Sequence, residues 1–240
     1  MSQFNLKKIA GYTHLAAVVF ITLTVVWVVL YRFIFPPSTF LMVSKYGIGY
    51  TYSPKDLNKI SPELQVCAMA AEDQMLPFHF GLDIEAIQNA LARNKRSRKT
   101  FGASTITQQV AKNAFLFPHR NFIRKGFELY FTFWIETLWP KSHILATYLN
   151  IAEMGDGIFG AEAASQTYYK KKSSQLNISE SAAIVASLPN PLKFNPKSGS
   201  GYAAQRKSKI TQLYYSLDGR HYLRELYIRL DQPIYDFSKY

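Results

Sequence analysis

Cysteine is nearly missing from this 240-residue chain: Cys67 stands alone. One thiol excludes an intrachain disulfide and a cysteine-based metal cluster. Its ordinary place is a helix core, where a free cysteine packs as a small apolar side chain. Acidic residues are also scarce, 16 against 28 Lys and Arg, giving a net charge of +12 and a pI near 9.6. That excess points to polyanionic partners: nucleic acid, anionic lipid head groups or pyrophosphate. His79 has no second histidine at ligand spacing, and His119 and His143 are too distant in sequence to pair with it by motif, which argues against zinc. There is no glycine-rich dinucleotide loop and no P-loop, so a nucleotide-carried substrate is not indicated. Ser104 lacks a triad pattern, which leaves nucleophilic hydrolysis unsupported. Strand-like alternation is scarce and no internal repeat occurs, so the fold class is mostly α.

What the chain does have begins with an apolar run. Residues 9–31 contain no Asp, Glu, Lys or Arg. At about 1.5 Å rise per residue they match a hydrocarbon core of roughly 30 Å. Trp27 and Tyr31 suit an interfacial position near the far end. A cleavable leader would need small residues at a processing site, but Arg32, Phe33, Ile34, Phe35, Pro36 and Pro37 follow. The run therefore reads as an uncleaved single anchor. Lys7 and Lys8 against Arg32 tilt its N-terminus to the cytoplasmic side. The expected organisation is a cytoplasmic tail over 1–8, an anchor over 9–33, a linker and domain edge over 34–60, a helical domain over 61–217 and an extension over 218–240.

Within the domain, Ser61 and Pro62 form a helix start, and Leu64, Cys67, Ala68 and Ala71 its buried stripe. Asp83 caps the next helix, with Ile84, Ile87 and Leu91 expected to face inward. Arg93, Lys95, Arg96, Arg98 and Lys99 follow as a mobile basic loop ending at Gly102. Ser104 is expected to cap a helix running to about Phe115. Further helices are expected over 121–139 and 142–154, in a short piece at 161–169, from a cap at Ser179 to Pro189, and over 202–217.

The chemistry concentrates in Glu72-Asp73-Gln74-Met75-Leu76-Pro77-Phe78-His79-Phe80-Gly81. Two carboxylates ending an apolar helix, before a turn with Pro77 and Gly81, are poorly explained by packing and read as an acid/base centre. His79 is expected to order that turn. In the helix after Ser104, Thr105, Gln109 and Lys112 share a face by spacing, beside a buried stripe of Ile106 and Val110. A hydroxyl, an amide and a cation near a helix N-terminus suit an oxyanion or phosphate. Arg124 and Glu128 stand i, i+4 on an aromatic-rich helix, with Lys125 adjacent. They could form a structural ion pair or hold a leaving group.

The order of these motifs resembles the peptidoglycan glycosyltransferases of family 51. The matching residues are Glu72-Asp73-Gln74 through His79-Phe80-Gly81, Gly102 through Gln109 with Lys112-Asn113, and Arg124-Lys125-Gly126-Phe127-Glu128. Lys141 with Tyr148-Leu149-Asn150, and Gly160 through Ala164, complete the series. Residues 45–215 carry the resemblance, and the single anchor resembles the monofunctional branch without a transpeptidase domain. The resemblance implies a lysozyme-like glycosyltransferase domain. It would polymerise lipid II into β-1,4 glycan strands outside the inner (cytoplasmic) membrane, with release of undecaprenyl diphosphate. Carried over by position, Glu72 matches the catalytic base and Glu128 the second essential glutamate. Asp73, Thr105, Gln109, Lys112, Asn113, Arg124 and Lys125 match residues around the donor and its pyrophosphate. His79, Gly81, Gly102 and Asn150 match structural positions of the motifs.

The sequence requires no cofactor; Glu128 is left with two roles, holding a divalent cation (Mg or Mn) or orienting the cations beside it. The implied partners are lipid II, the growing glycan and the membrane, with penicillin-binding or divisome proteins by family habit and no nucleic acid. Three features depart from the pattern: Leu76 stands where Phe is usual, Ala146 where Glu is frequent, and the tail Arg220 to Tyr240, with no function assigned, extends beyond it. Two rival readings are a lysozyme-like hydrolase and a non-catalytic membrane scaffold. The hydrolase needs two carboxyl groups flanking one bond at roughly 5–9.5 Å.

Overall fold

The computed structural model describes residues 6–96, 102–118, 121–198 and 200–223. Arg98, Lys99 and His119 lie outside the described residues, as does the extension beyond 223. The uncharged run forms one helix, α1 (Leu6–Phe33), long and apolar enough to cross a membrane. A short helix, α2 (Phe40–Tyr46), and a 3-10 turn at Leu57–Lys59 lead into the domain.

The centre of the domain is α3 (Pro62–Glu72). Ser61 accepts the Leu64 N–H at 3.1 Å and Pro62 occupies the first turn, where its missing N–H costs nothing. Its residues from Glu63 to Ala70 are all buried, because α9 (Ile178–Ser187) and α10 (Gly201–Ser216) pack against it. Cys67 is buried here, and burial pushes its thiol up to about 12, so it behaves as a packing residue. On the other side, α5 (Ile106–Phe115) packs on α6 (Phe122–Leu138) and α7 (Lys141–Ile151). A three-stranded sheet of β1 (Thr51–Tyr52), β2 (Glu153–Gly155) and β3 (Ile158–Phe159) lies beside α8 (Ala161–Tyr169). β3 is central, parallel to β1 and antiparallel to β2.

Several boundaries differ from the sequence expectation for identifiable reasons. Thr105, not Ser104, is the N-cap of α5: its hydroxyl accepts the Gln108 N–H while the Gln108 side chain returns to the Thr105 N–H. Asn177, not Ser179, caps α9 through the same reciprocal box with Glu180. The helix expected over 142–154 begins one residue earlier and ends at Ile151, because Glu153–Gly155 pairs into the sheet. On α4 (Ile84–Asn94) no residue is buried, and Ile84 and Leu91 are more than half exposed, so its apolar stripe faces away from the core. Helical spacing groups residues onto one face; it does not say what covers that face.

The spanning helix is docked on the domain. Trp139 donates its indole N–H to the Val28 carbonyl at 2.9 Å, and His143 donates Nε2–H to the Tyr31 carbonyl at 2.7 Å. Arg32 bonds the Leu138 carbonyl, and the Thr24 and Tyr130 hydroxyls meet at 2.6 Å. Trp27 is not an isolated interfacial ring: it meets Phe115 edge-on at 5.1 Å, and Phe115 stacks on Phe131 at 4.7 Å. Phe20 packs edge-on against Phe127. The length of α6 therefore runs alongside the apolar segment. There it exposes Phe122, Ile123, Phe127 and Phe133, continuous in character with exposed Phe78 and Phe80. Apolar exposure on that scale marks a surface for something other than water.

Candidate active site

The turn after α3 is built by its own residues. Asp73 is buried and accepts His79 Nε2 at 2.9 Å and the Ile106 backbone N–H at 2.9 Å. One carboxylate thus ties the turn to the N-terminus of α5, where backbone donors are otherwise unpaired. Gly81 has φ +72, and a Cβ there would lie 2.4 Å from Thr132 Cγ2. Only glycine fits. The Gly81 carbonyl accepts the Thr105 hydroxyl at 2.7 Å. Behind them, Lys141 is buried against Glu136 at 2.7 Å and also donates to the His79 carbonyl at 2.8 Å. Burial lowers the Lys141 ammonium, and Glu136 opposes that shift.

Glu72 ends α3 with both carboxylate oxygens engaged. Oε1 pairs with Arg206 Nη2 at 2.8 Å, and Oε2 accepts Gln109 Nε2 at 3.2 Å. Burial pushes its carboxyl above the ordinary range; Arg206, Gln109 and Lys112 pull the other way. A raised carboxyl that remains ionisable suits a general base.

Beyond Gln109 opens a cavity of about 390 Å³, lined among others by Ser104, Gln109, Lys112, Asn113, Arg124, Lys125 and Glu128. Three cations face one carboxylate there. Glu128 is buried and pairs with Lys125, its i, i+3 neighbour, rather than with Arg124 as expected. Arg124 Nε is buried and finds no acceptor among the described residues. Together, Lys112, Arg124 and Lys125 offer charge-assisted hydrogen bonds to an anionic group entering the cavity.

Of the residues singled out by sequence, the structure gathers Gln109, Lys112, Asn113, Arg124, Lys125 and Glu128 around one cavity, with Glu72 joined to it through Gln109. Asp73 and Thr105, expected at the substrate, do not line it: both are buried and committed to the turn and to the cap of α5. His79 orders the turn as expected. Gly102 is exposed, with nothing near its Cα that a side chain would meet. Asn150 clamps the linker, donating to the Lys55 carbonyl and accepting the Lys55 N–H, each at 2.8 Å.

Arg206 was absent from the expected site. It lies in a charged stretch, Gln205-Arg206-Lys207-Ser208-Lys209, that reads as a solvated face. The available signal was its register: Ala203, Arg206, Ile210 and Tyr214 follow helical spacing, and the other three are buried. Tyr148, named in the sequence only as part of the Tyr148-Leu149-Asn150 motif and given no site role there, is the other neighbour; its hydroxyl is buried without a partner among the described residues. Burial and then the charge of Glu72 push it well above its ordinary value, so it stays neutral.

A partly buried, raised glutamate beside a cation-lined cavity, in a helical domain docked on an apolar spanning-length helix, is the arrangement of an enzyme with a carboxylate for acid/base work and cations for an anionic group. Comparison with known proteins makes this specific. Residues 45–214 match the family model described as transglycosylase. The chain is 42% identical over 210 residues to the biosynthetic peptidoglycan transglycosylase of Xylella fastidiosa strain M12, covering 84% of this chain and 86% of that protein. It is 48% identical over 170 residues to the protein of the same name from Escherichia coli strain K12 / DH10B, covering 70% of each. The chain belongs to the transglycosylase family, and its domain is the lysozyme-like helical fold.

Proposed function

We propose that the protein is a peptidoglycan glycosyltransferase of cell wall synthesis that polymerises lipid II into β-1,4 glycan strands, releasing undecaprenyl diphosphate. The observation that carries this reading is the grouping of Lys112, Arg124 and Lys125 around one cavity, which Gln109 also lines while bonded to Glu72. A diphosphate leaving group supplies anionic oxygens to these three cations.

In this mechanism Glu72 removes the proton from the acceptor sugar 4-hydroxyl as that oxygen attacks C1 of the growing chain. The C1–O bond to the lipid diphosphate breaks as the new C1–O bond forms. Attack from the far face inverts an α-linked donor to a β-linked product. Lys112, Arg124 and Lys125 stabilise charge developing on the diphosphate, where water is partly excluded and charge-assisted hydrogen bonds are strong. Both oxygens of Glu72 keep a second lone pair, so Arg206 and Gln109 do not block the incoming hydroxyl. Gln109 spans the base and the leaving-group cavity and holds them in one frame. Glu128 orients Lys125. It is the sole carboxylate among the cavity-lining residues and is already paired, and no cluster of three metal-ligating side chains occurs among the described residues. A divalent cation (Mg or Mn) held by Glu128 would therefore draw its remaining ligands from the donor diphosphate and water.

The docked α1 and the apolar face of α6 support an inner-membrane, single-pass arrangement with the N-terminus cytoplasmic and the domain periplasmic. A lipid-borne donor would then reach the cavity from the bilayer, with the phosphates at the depth of Arg124 and Lys125. Penicillin-binding or divisome proteins remain proposed partners by family habit. The cation-rich cavity favours transfer from a diphosphate over hydrolysis of a neutral glycan, which needs no such charge. The test is incubation of the detergent-solubilised full-length protein with lipid II. Long uncrosslinked glycan and free undecaprenyl diphosphate are expected; intact lipid II, with shortening of pre-formed glycan, would support hydrolysis instead.

A further inference from the structure

The position of Glu72 is hostile to its charge. It is the last residue of α3, where the helix dipole presents its negative end. The next residue is the buried carboxylate Asp73, and Glu72 itself is partly buried, which disfavours its charged form. Left alone, such a carboxylate would favour its protonated form and more than one rotamer. The contact that opposes this comes from the far end of the domain sequence, across 134 positions. Arg206 on α10 places Nη2 2.8 Å from Oε1, while its Nε is buried with no other partner among the described residues.

We propose that Arg206 is a positioning residue for the base: its guanidinium fixes the Glu72 carboxylate in the geometry that accepts the sugar hydroxyl proton and keeps it ionised for that purpose. This rests on the assignment of Glu72 as the base. The groups facing Glu72 are few enough to separate. α10 contributes Arg206, α5 contributes Gln109 and Lys112, α7 contributes the neutral Tyr148 hydroxyl, and α3 runs on into Asp73. The charged Glu180 of α9 is engaged elsewhere, with Lys171. Asp73 is held by His79 and the Ile106 N–H, so it is not free to compensate. Gln109 carries no charge. Lys112 lines the leaving-group cavity and acts on Glu72 through its charge, while Arg206 is ion-paired with it at 2.8 Å.

An opposite charge at this range moves a carboxyl by about 1–3 pH units. Arg206 stabilises the ionised form, so its removal raises the pH at which Glu72 becomes competent. The experiment is the pH profile of kcat/KM for lipid II polymerisation by full-length wild-type protein, Arg206→Gln and Arg206→Lys, with thermal melts of each. The Gln variant is expected to move the acidic limb up by about one unit or more. The Lys variant, which keeps the charge but loses the planar fork, is expected to hold the wild-type limb with a lowered kcat. An unmoved limb in Arg206→Gln overturns the proposal, as does a Lys variant no better than Gln. If the Gln variant fails to fold, Arg206→Lys decides alone: a limb displaced by about a unit or more refutes the role of the charge. Glu72→Gln is run alongside. If it retains activity, the base assignment itself fails; if it is inactive while Arg206→Gln leaves the limb in place, only the role of Arg206 fails.

Discussion

Replacing Gly81 by alanine tests the turn that carries the site. Gly81 sits at φ +72, where an L-residue costs roughly 1–2 kcal/mol. The added Cβ would lie 2.4 Å from Thr132 Cγ2 and 3.1 Å from Glu136 Cγ. Neither neighbour gives way easily. Thr132 donates its hydroxyl to the Glu128 carbonyl at 2.7 Å, and Glu136 is held by Lys141 and by the Thr107 hydroxyl. Overpacking of this kind adds about 1–3 kcal/mol. The total of about 2–5 kcal/mol corresponds to a fall in Tm of roughly 4–20 °C for a domain of this size. Activity should fall further than stability, because the Gly81 carbonyl holds Thr105, Thr105 caps α5, and α5 carries Gln109 and Lys112. The assay is thermal unfolding of the detergent-solubilised variant by circular dichroism, with polymerisation measured below its Tm. A Tm within about 2 °C of wild type would show that the turn is not packed as described.

Other consequences are direct. Lys141→Met leaves Glu136 charged and buried without its cation, which costs about 3–5 kcal/mol. Adding Glu136→Leu should recover much of that, read as Tm in single and double variants. Arg124→Ala removes a charge-assisted contact of about 1.5–3 kcal/mol, so kcat/KM for lipid II should drop roughly ten- to a hundredfold with Tm nearly unchanged. Because burial raises the carboxyl of Glu72, the acidic limb of kcat/KM should lie above the ordinary glutamate value of about 4.3, activity rising with pH as the base ionises. A midpoint at or below that value would contradict the geometry around Glu72.

The parts of this protein written in local sequence were readable before its structure. Ser61-Pro62 starts α3, the uncharged run makes α1, and His79 and Gly81 shape the turn, because each acts on residues within a few positions of itself. Shared faces were readable too, since spacing puts Gln109 and Lys112 on one side of α5. Spacing was silent on which faces are wet, so the stripe of α4 was turned the wrong way. It could not choose between Arg124 and Lys125 as the partner of Glu128, both being within one helical turn. Thr105 looked like a substrate contact because its hydroxyl is polar and well placed, yet backbone demand at the helix start claims it. The register of Arg206 with Ala203, Ile210 and Tyr214 could have placed it on the covered face of α10, but its partner was beyond sequence reach, because only the packing of α10 on α3 brings it to Glu72.

The central claim is that Glu72 is the base for polymerisation of a diphosphate-linked donor. The most direct measurement compares wild-type and Glu72→Gln full-length protein given lipid II, following glycan length and diphosphate release at matched folded concentration. Glutamine keeps the shape, its oxygen can still accept from Arg206 and its NH2 can donate to a turned Gln109 amide, but it cannot accept the hydroxyl proton. The expected result is a folded variant that binds donor and forms no glycan; glycan at more than about a hundredth of the wild-type rate, beyond the 10²–10⁴-fold that general-base catalysis contributes, would contradict the account.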